Sequence, residues 1–153
     1  MATKDTATRT DLSGDAVEEI SSNLRRLLAD VFALYVKTKN FHWHISGQHF
    51  RDYHLLLDEQ ATQIFAMTDA IAERARKIGG TTIRSISDIG KNQRLKDNNR
   101  ESVAPLEMIS ELCDDNQQLT RSLRATHEAE EVSRAFHIGD QPPVVAHFIA
   151  AND

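Results

Sequence analysis

The chain has 153 residues, of which 40% are apolar and 27% charged, and it carries a net charge of −5. That size gives one domain able to bury a core of its own. The acidic balance excludes a global basic footprint for nucleic acid, and a single cysteine, Cys113, excludes an intrachain disulfide or a CxxC metal motif.

The first residues, MATKDTATRTDLSGD, are polar, with no apolar stretch after them to act as a signal sequence. No run approaches the ~18 apolar residues of a membrane span. The expected compartment is therefore the cytoplasm. Residues 1–12 read as a flexible tail of mixed charge. A helical domain is expected over 13–136, followed by an atypical segment at 137–153.

From residue 13 the apolar side chains Val17, Ile20, Leu24, Leu27, Leu28, Val31, Leu34, Tyr35 and Thr38 recur at steps of three and four. This is the period of an amphipathic helix. Ser13 can cap its first turn, and Asp15, Glu18 and Glu19 suit the positive end of its dipole. The pattern predicts a long helix to about residue 44, ended by Ser46-Gly47. A second helix is predicted over 51–78, with the stripe Leu57, Ala61, Ile64, Met67 or Thr68, Ile71, Ala75 and Ile78, and with Gly79-Gly80 as its stop.

Residues 81–101 form a polar connection, long for a compact bundle. It has room for one short helix at 85–91, and it carries a basic cluster of Lys91, Arg94, Lys96 and Arg100. A third long helix is predicted from about residue 102 to 131, with Pro105 in its first turn, where a missing N–H costs little. Its stripe is Leu106, Ile109, Leu112, Leu119 and Leu123. Three such helices demand helical partners, which predicts an all-α, four-helix bundle architecture. The fourth helix is expected to be short or altered, because Gly139 and Pro142-Pro143 interrupt the tail.

The chemistry lies in His42, His54, Asp58, Asp69 and Glu73. On the second helix, at about 100° per residue, Asp58, Asp69 and Glu73 fall about 40°, 60° and 100° from His54. All four therefore share a quarter of the circumference, together with Phe65 and Ala72. Taken singly, His42 reads as a cap or core residue and each i,i+4 carboxylate as a solvated face; the joint pattern departs from that. The eleven residues from Asp58 to Asp69 span ~16 Å of helix axis, far beyond metal–ligand distances of ~2 Å. One chain cannot close a site from both pairs. Two copies packed antiparallel about a point near Gln63–Ile64 bring His54 and Asp58 of one against Asp69 and Glu73 of the other. Such an isologous pairing makes two identical sites. Imidazoles and carboxylates without thiolate suit iron or manganese better than structural zinc. His44, His49, His127, His137 and His147 lack this support and read as structural or surface residues.

The stretch KNFHWHISGQHFRDYHLLLDEQATQIFAMTDAIAERARKIGG closely resembles the signature region of the Dps family, the DNA-protecting mini-ferritins of starved cells. The match comprises H-x11-H-x3-D-x10-D-x3-E, Phe41, Trp43, the Asp69-to-Arg74 core and the Ile-Gly-Gly stop. It extends over roughly residues 12–128. The resemblance implies a ferritin-like bundle assembled through two-fold dimers into a hollow dodecamer. It implies a dinuclear iron site at the two-fold interface, with His42, His54 and Asp58 from one subunit and Asp69 and Glu73 from its partner. It also implies ferroxidase activity, Fe(II) to Fe(III) with hydrogen peroxide as favoured oxidant, together with iron storage and DNA protection. Trp43 matches the family aromatic assigned to trapping stray oxidising equivalents; simple interface packing is an equal alternative for it.

DNA contact is expected to be weak or indirect, since Lys4 and Arg9 in the first twelve residues are balanced by Asp5 and Asp11. Nucleoid association within the cytoplasm is compatible with that. Two other functions stay open: a non-catalytic nucleoid-associated protein that coats DNA, and a bundle that serves only as an assembly scaffold.

Overall fold

A computed structural model describes residues 10–135. Among them are four helices and no strand: α1 (Gly14–His44), α2 (Phe50–Lys77), α3 (Ile86–Asn92) and α4 (Pro105–Ala135). The three long helices and the short one in the connection match the expected elements to within three or four residues at each end. Residues 1–9 of the expected tail lie outside the described residues. So do residues 136–153, and with them the altered fourth helix, His137 and His147. Leu12, at the end of the expected tail, packs against the core.

Helix ends follow local chemistry. Ser13 is the N-cap of α1, its hydroxyl accepting the Ala16 N–H at 3.2 Å. Ser85 caps α3 in the same way through Asp88. Pro105 is the first residue of α4, where it needs no N–H partner. At the end of α2, Gly79 takes φ +91°. The Gly80 N–H then reaches back to the Ala75 carbonyl and the Gly79 N–H to that of Arg76, both at 3.0 Å. These paired bonds turn the chain off the helix. Gly80 also lies against α1, and a Cβ there would run into the Ser21 side chain.

Helix α1 is the centre of the bundle, with α2, α3 and α4 all packed on it. Leu24, Leu27, Val31, Leu34 and Phe41 of α1 are almost fully buried. They join Leu57, Ile64 and Ile71 of α2 and Met108, Leu112 and Leu119 of α4 in one core. Burying each such side chain contributes about 1.5–3 kcal/mol. On α2, Thr68 and not Met67 occupies the core position, its hydroxyl bonded back to the Phe65 carbonyl.

Of the expected α4 stripe, Leu112 and Leu119 are buried and Ile109 and Leu123 pack against the core, but Leu106 is 73% exposed. The inward face also takes in Met108, Asp115, Thr126 and Glu130. Each buried charge has a partner, as burial of an ionised group requires. Lys37 Nζ bonds Asp115 Oδ2 at 2.6 Å and Glu111 Oε1 at 3.0 Å. Glu130 pairs with Arg74. Asp30, 1% exposed, accepts the Arg94 backbone N–H at 2.6 Å and its guanidinium at 2.6 and 3.0 Å. The long connection is thereby tied to α1, with Leu95 buried beside the clamp. The basic cluster at 91–100 is accordingly not a free patch: Arg94 is committed to Asp30 and Arg100 to Glu107.

The turn at the end of α2 gives a stability test. Gly79→Ala is expected to cost about 1–2 kcal/mol from its left-handed backbone. Gly80→Ala is expected to cost about 1–3 kcal/mol from overpacking against Ser21, and Ser21→Ala to recover part of that second loss only. Denaturant midpoints of the single and double variants measure both, and a Gly80→Ala variant as stable as the parent would refute the close approach.

Candidate metal centre

The last turn of α1 and the first turns of α2 lie side by side, joined by a five-residue link at 45–49. Carbonyls in the last turn of a helix lack intrahelical N–H partners. His54 fills one such gap: its Nδ1 lies 3.0 Å from the His42 carbonyl. His42 returns the contact, with its Nδ1 2.9 Å from the His54 carbonyl. A carbonyl oxygen only accepts, so both rings donate from Nδ1. In the neutral ring this selects the tautomer whose lone pair is on Nε2, the form a metal-binding imidazole requires. The rings stack with centroids 3.8 Å apart, and Phe50 stacks on His54 at 5.0 Å. His42 is buried.

Asp58, one turn after His54, presents Oδ1 3.8 Å from His42 Nε2. Its carboxylate is 56% exposed and is held by Lys39 Nζ at 2.8 Å. The hydrogen bond and charge of Lys39 hold the Asp58 carboxyl below the usual carboxylate range, with smaller help from His42 and His54. A depressed carboxyl stays charged as pH falls until its own lowered value is passed, so Asp58 is an anion at neutral pH.

Asp69 and Glu73 lie further along α2, on the same side, and both are exposed. Lys77, one turn beyond, bonds Glu73 at 2.7 Å and lowers its carboxyl in the same way. The structure thus brings His42, His54 and Asp58 together and leaves Asp69 and Glu73 apart from them. Among the described residues of one chain, no three His, Cys, Asp or Glu side chains converge to hold an ion. The two halves share a face with Phe65, which packs on Phe32 and Tyr35 yet remains 50% exposed. Beside Asp69 an open groove of about 1010 Å³, lined by Phe32, Val36, Ala72, Ile83 and Ile89, runs between α1, α2 and α3. Such an apolar surface around an incomplete site is unusual on a monomer.

Of the other histidines, His44 bonds the Asn40 carbonyl at 2.8 Å, His49 stands edge-on to Tyr53, and His127 lies 3.7 Å from Glu131. None joins the His42–His54 pair. Trp43 is 64% exposed beside it. Sequence reasoning missed two neighbours of the site, Phe50 and Lys39. The signal for Lys39 was its place three residues before His42, on the same face of α1.

Residues 21–136 match the family model described as a ferritin-like domain. A DNA protection during starvation protein of Brevibacillus brevis is 31% identical over 109 residues, covering 71% of this chain and 72% of that one. The chain belongs to the Dps family of ferritin-like proteins. An uncharacterized low temperature-induced protein of Nostoc sp. is 34% identical over 113 residues, 74% of this chain, which spans 63% of that relative's length. The Dps of Thermosynechococcus elongatus superposes with a TM-score of 0.74 at 26% identity, over 78% of this chain and 75% of the other. This Dps-family chain contains no described helix long and apolar enough to cross a membrane.

The tautomers assigned to this Dps-family chain are open to direct measurement. Nitrogen-15 shifts of His42 and His54 in the metal-free protein, assigned against His42→Gln and His54→Gln, are expected to show a protonated Nδ1 and a bare Nε2 in both rings at mildly alkaline pH. A protonated Nε2 in either ring would contradict the carbonyl contacts.

Proposed function

We propose that the protein is a ferroxidase and iron-storage mini-ferritin. Two Fe(II) ions, the substrate, bind between His42, His54 and Asp58 of one copy and Asp69 and Glu73 of the partner subunit. The observation that carries this reading is the division of one ligand set into two separated halves, one where α1 meets α2 and the other further along α2. One half holds both imidazoles in the metal-ready tautomer beside a carboxylate anion, and the other adds carboxylates on the same face.

The donor set fits iron: two neutral nitrogens and three carboxylates form a hard, anionic cage that favours Fe(III) over Fe(II) and draws oxidation forward. Each Fe(II) gives up one electron. A pair together reduces one hydrogen peroxide to two waters with the uptake of two protons, so no hydroxyl radical is released. The protein's residues bind both ions, neutralise their charge and hold them adjacent. Protection of DNA follows from removal of both reagents, in the cytoplasm, without tight coating. The coating alternative has less support: with Arg94 and Arg100 committed to ion pairs, Lys91 and Lys96 are the exposed cations left in the 91–100 cluster. Two-fold dimers then build the dodecameric shell that stores the ferric product.

Anaerobic loading with Fe(II) followed by peroxide is expected to give ferric absorbance saturating at about two irons per site. Asp58→Ala and Glu73→Ala, from the two halves, should each slow the fast phase by about a hundredfold or more. Stopped-flow absorbance measures this, and a wild-type rate in both variants would remove these residues from the chemistry.

A further inference from the structure

Lys39 precedes His42 by three residues and Trp43 by four, so the three side chains share one face of α1. Its side chain is only 18% exposed, little for a lysine. Its ammonium lies 2.8 Å from Asp58 Oδ1 and 5.9 Å from the centre of the Trp43 ring. The same Oδ1 faces His42 Nε2 at 3.8 Å. A divalent ion held by His42 and Asp58 would bond that oxygen at ~2 Å. An ammonium held on the same atom would then face a like charge at close range. The two cations compete for that oxygen.

We propose that Lys39 is a specificity-determining residue: its ammonium is the resident counter-ion of Asp58 in the metal-free site, and a divalent cation must displace it to bind. The Trp43 face provides a nearby resting place for the displaced ammonium, through cation–π attraction. The device rests on the reading of His42, His54 and Asp58 as metal ligands and sharpens it. It keeps an unpaired anion from facing solvent in the empty site. It also raises the threshold for occupancy, so that only cations forming strong bonds to carboxylate and imidazole enter.

The test is anaerobic calorimetric titration of the full-length, assembled protein with Co(II), which does not turn over. Wild type, K39M, K39R, D58N and the K39M/D58N double variant are compared. K39M is expected to bind Co(II) about three- to fivefold more tightly than wild type, the upper part of the range of a partly exposed ion pair. K39R, which keeps the ammonium's role, should stay near wild type. In the D58N background, K39M should change affinity by less than about twofold, because the lysine acts through Asp58. Should K39M not assemble, K39Q carries the same comparison. Unchanged or weaker binding in K39M overturns the proposal. So does a gain of equal size in the D58N background, which would mean general repulsion of the metal. A wild-type protein that takes up no Co(II), while remaining folded and assembled, defeats the metal site itself.

Discussion

The rigidity of α2 governs everything else in the molecule. An α-helix advances about 1.5 Å per residue, so the interval between Asp58 and Asp69 holds the two ligand pairs ~16 Å apart whatever their side chains do. The core fixes that interval in space, since Leu57, Ala61, Ile64, Thr68, Ile71 and Ala75 all anchor the adjoining side of the helix against its neighbours. Neither pair can move to the other. The face they occupy keeps Phe65 half-exposed beside an open apolar groove, surface that a lone chain would leave in water at a cost. The separated carboxylates and the uncovered apolar area coincide on one face, and the proposed two-fold pairing would account for both.

Within each half, backbone geometry prepares the chemistry before any metal arrives. The end of α1 leaves carbonyls free, and the two imidazoles use one carbonyl from each helix to hold their rings with Nδ1 as donor. The stacking of His42 on His54 adds a second restraint on ring orientation. Pre-ordering of this kind removes side-chain entropy in advance, so that less is lost on binding. Charge is handled similarly: Asp58 and Glu73 are each neutralised by a lysine of the same chain. Internal ion pairs through Asp30, Asp115 and Glu130 brace the bundle around α1.

Much of this was legible in the sequence, for definite reasons. Helix limits followed from Ser13, Gly79 and Pro105, whose backbone demands are local and strong. The proposed ligand residues stood out because their spacing along one helix face has a geometric consequence that a solvated face lacks. What escaped were contacts between elements distant in sequence. Asp30, Lys37, Asp115 and Glu130 look like solvent-facing charges when read along the chain, and only the approach of α4 and the connection buries them. The tautomers of His42 and His54 depend on carbonyls across a helix pair, and the hold of Lys39 on Asp58 bridges α1 and α2, so neither could be read from one helix alone.

The central claim is that each site draws ligands from two chains, and subunit complementation tests it most directly. D58A breaks one half and E73A the other. When the two variants are unfolded, mixed in equal amounts and reassembled, half the dimers should be mixed, and in each of these one site is wholly intact. The sharing account predicts that the mixture recovers about a quarter of the wild-type rate of peroxide-driven Fe(II) oxidation, although each variant reassembled alone remains inactive. A mixture no more active than its components, with mixed dimers demonstrated by mass spectrometry, would contradict it.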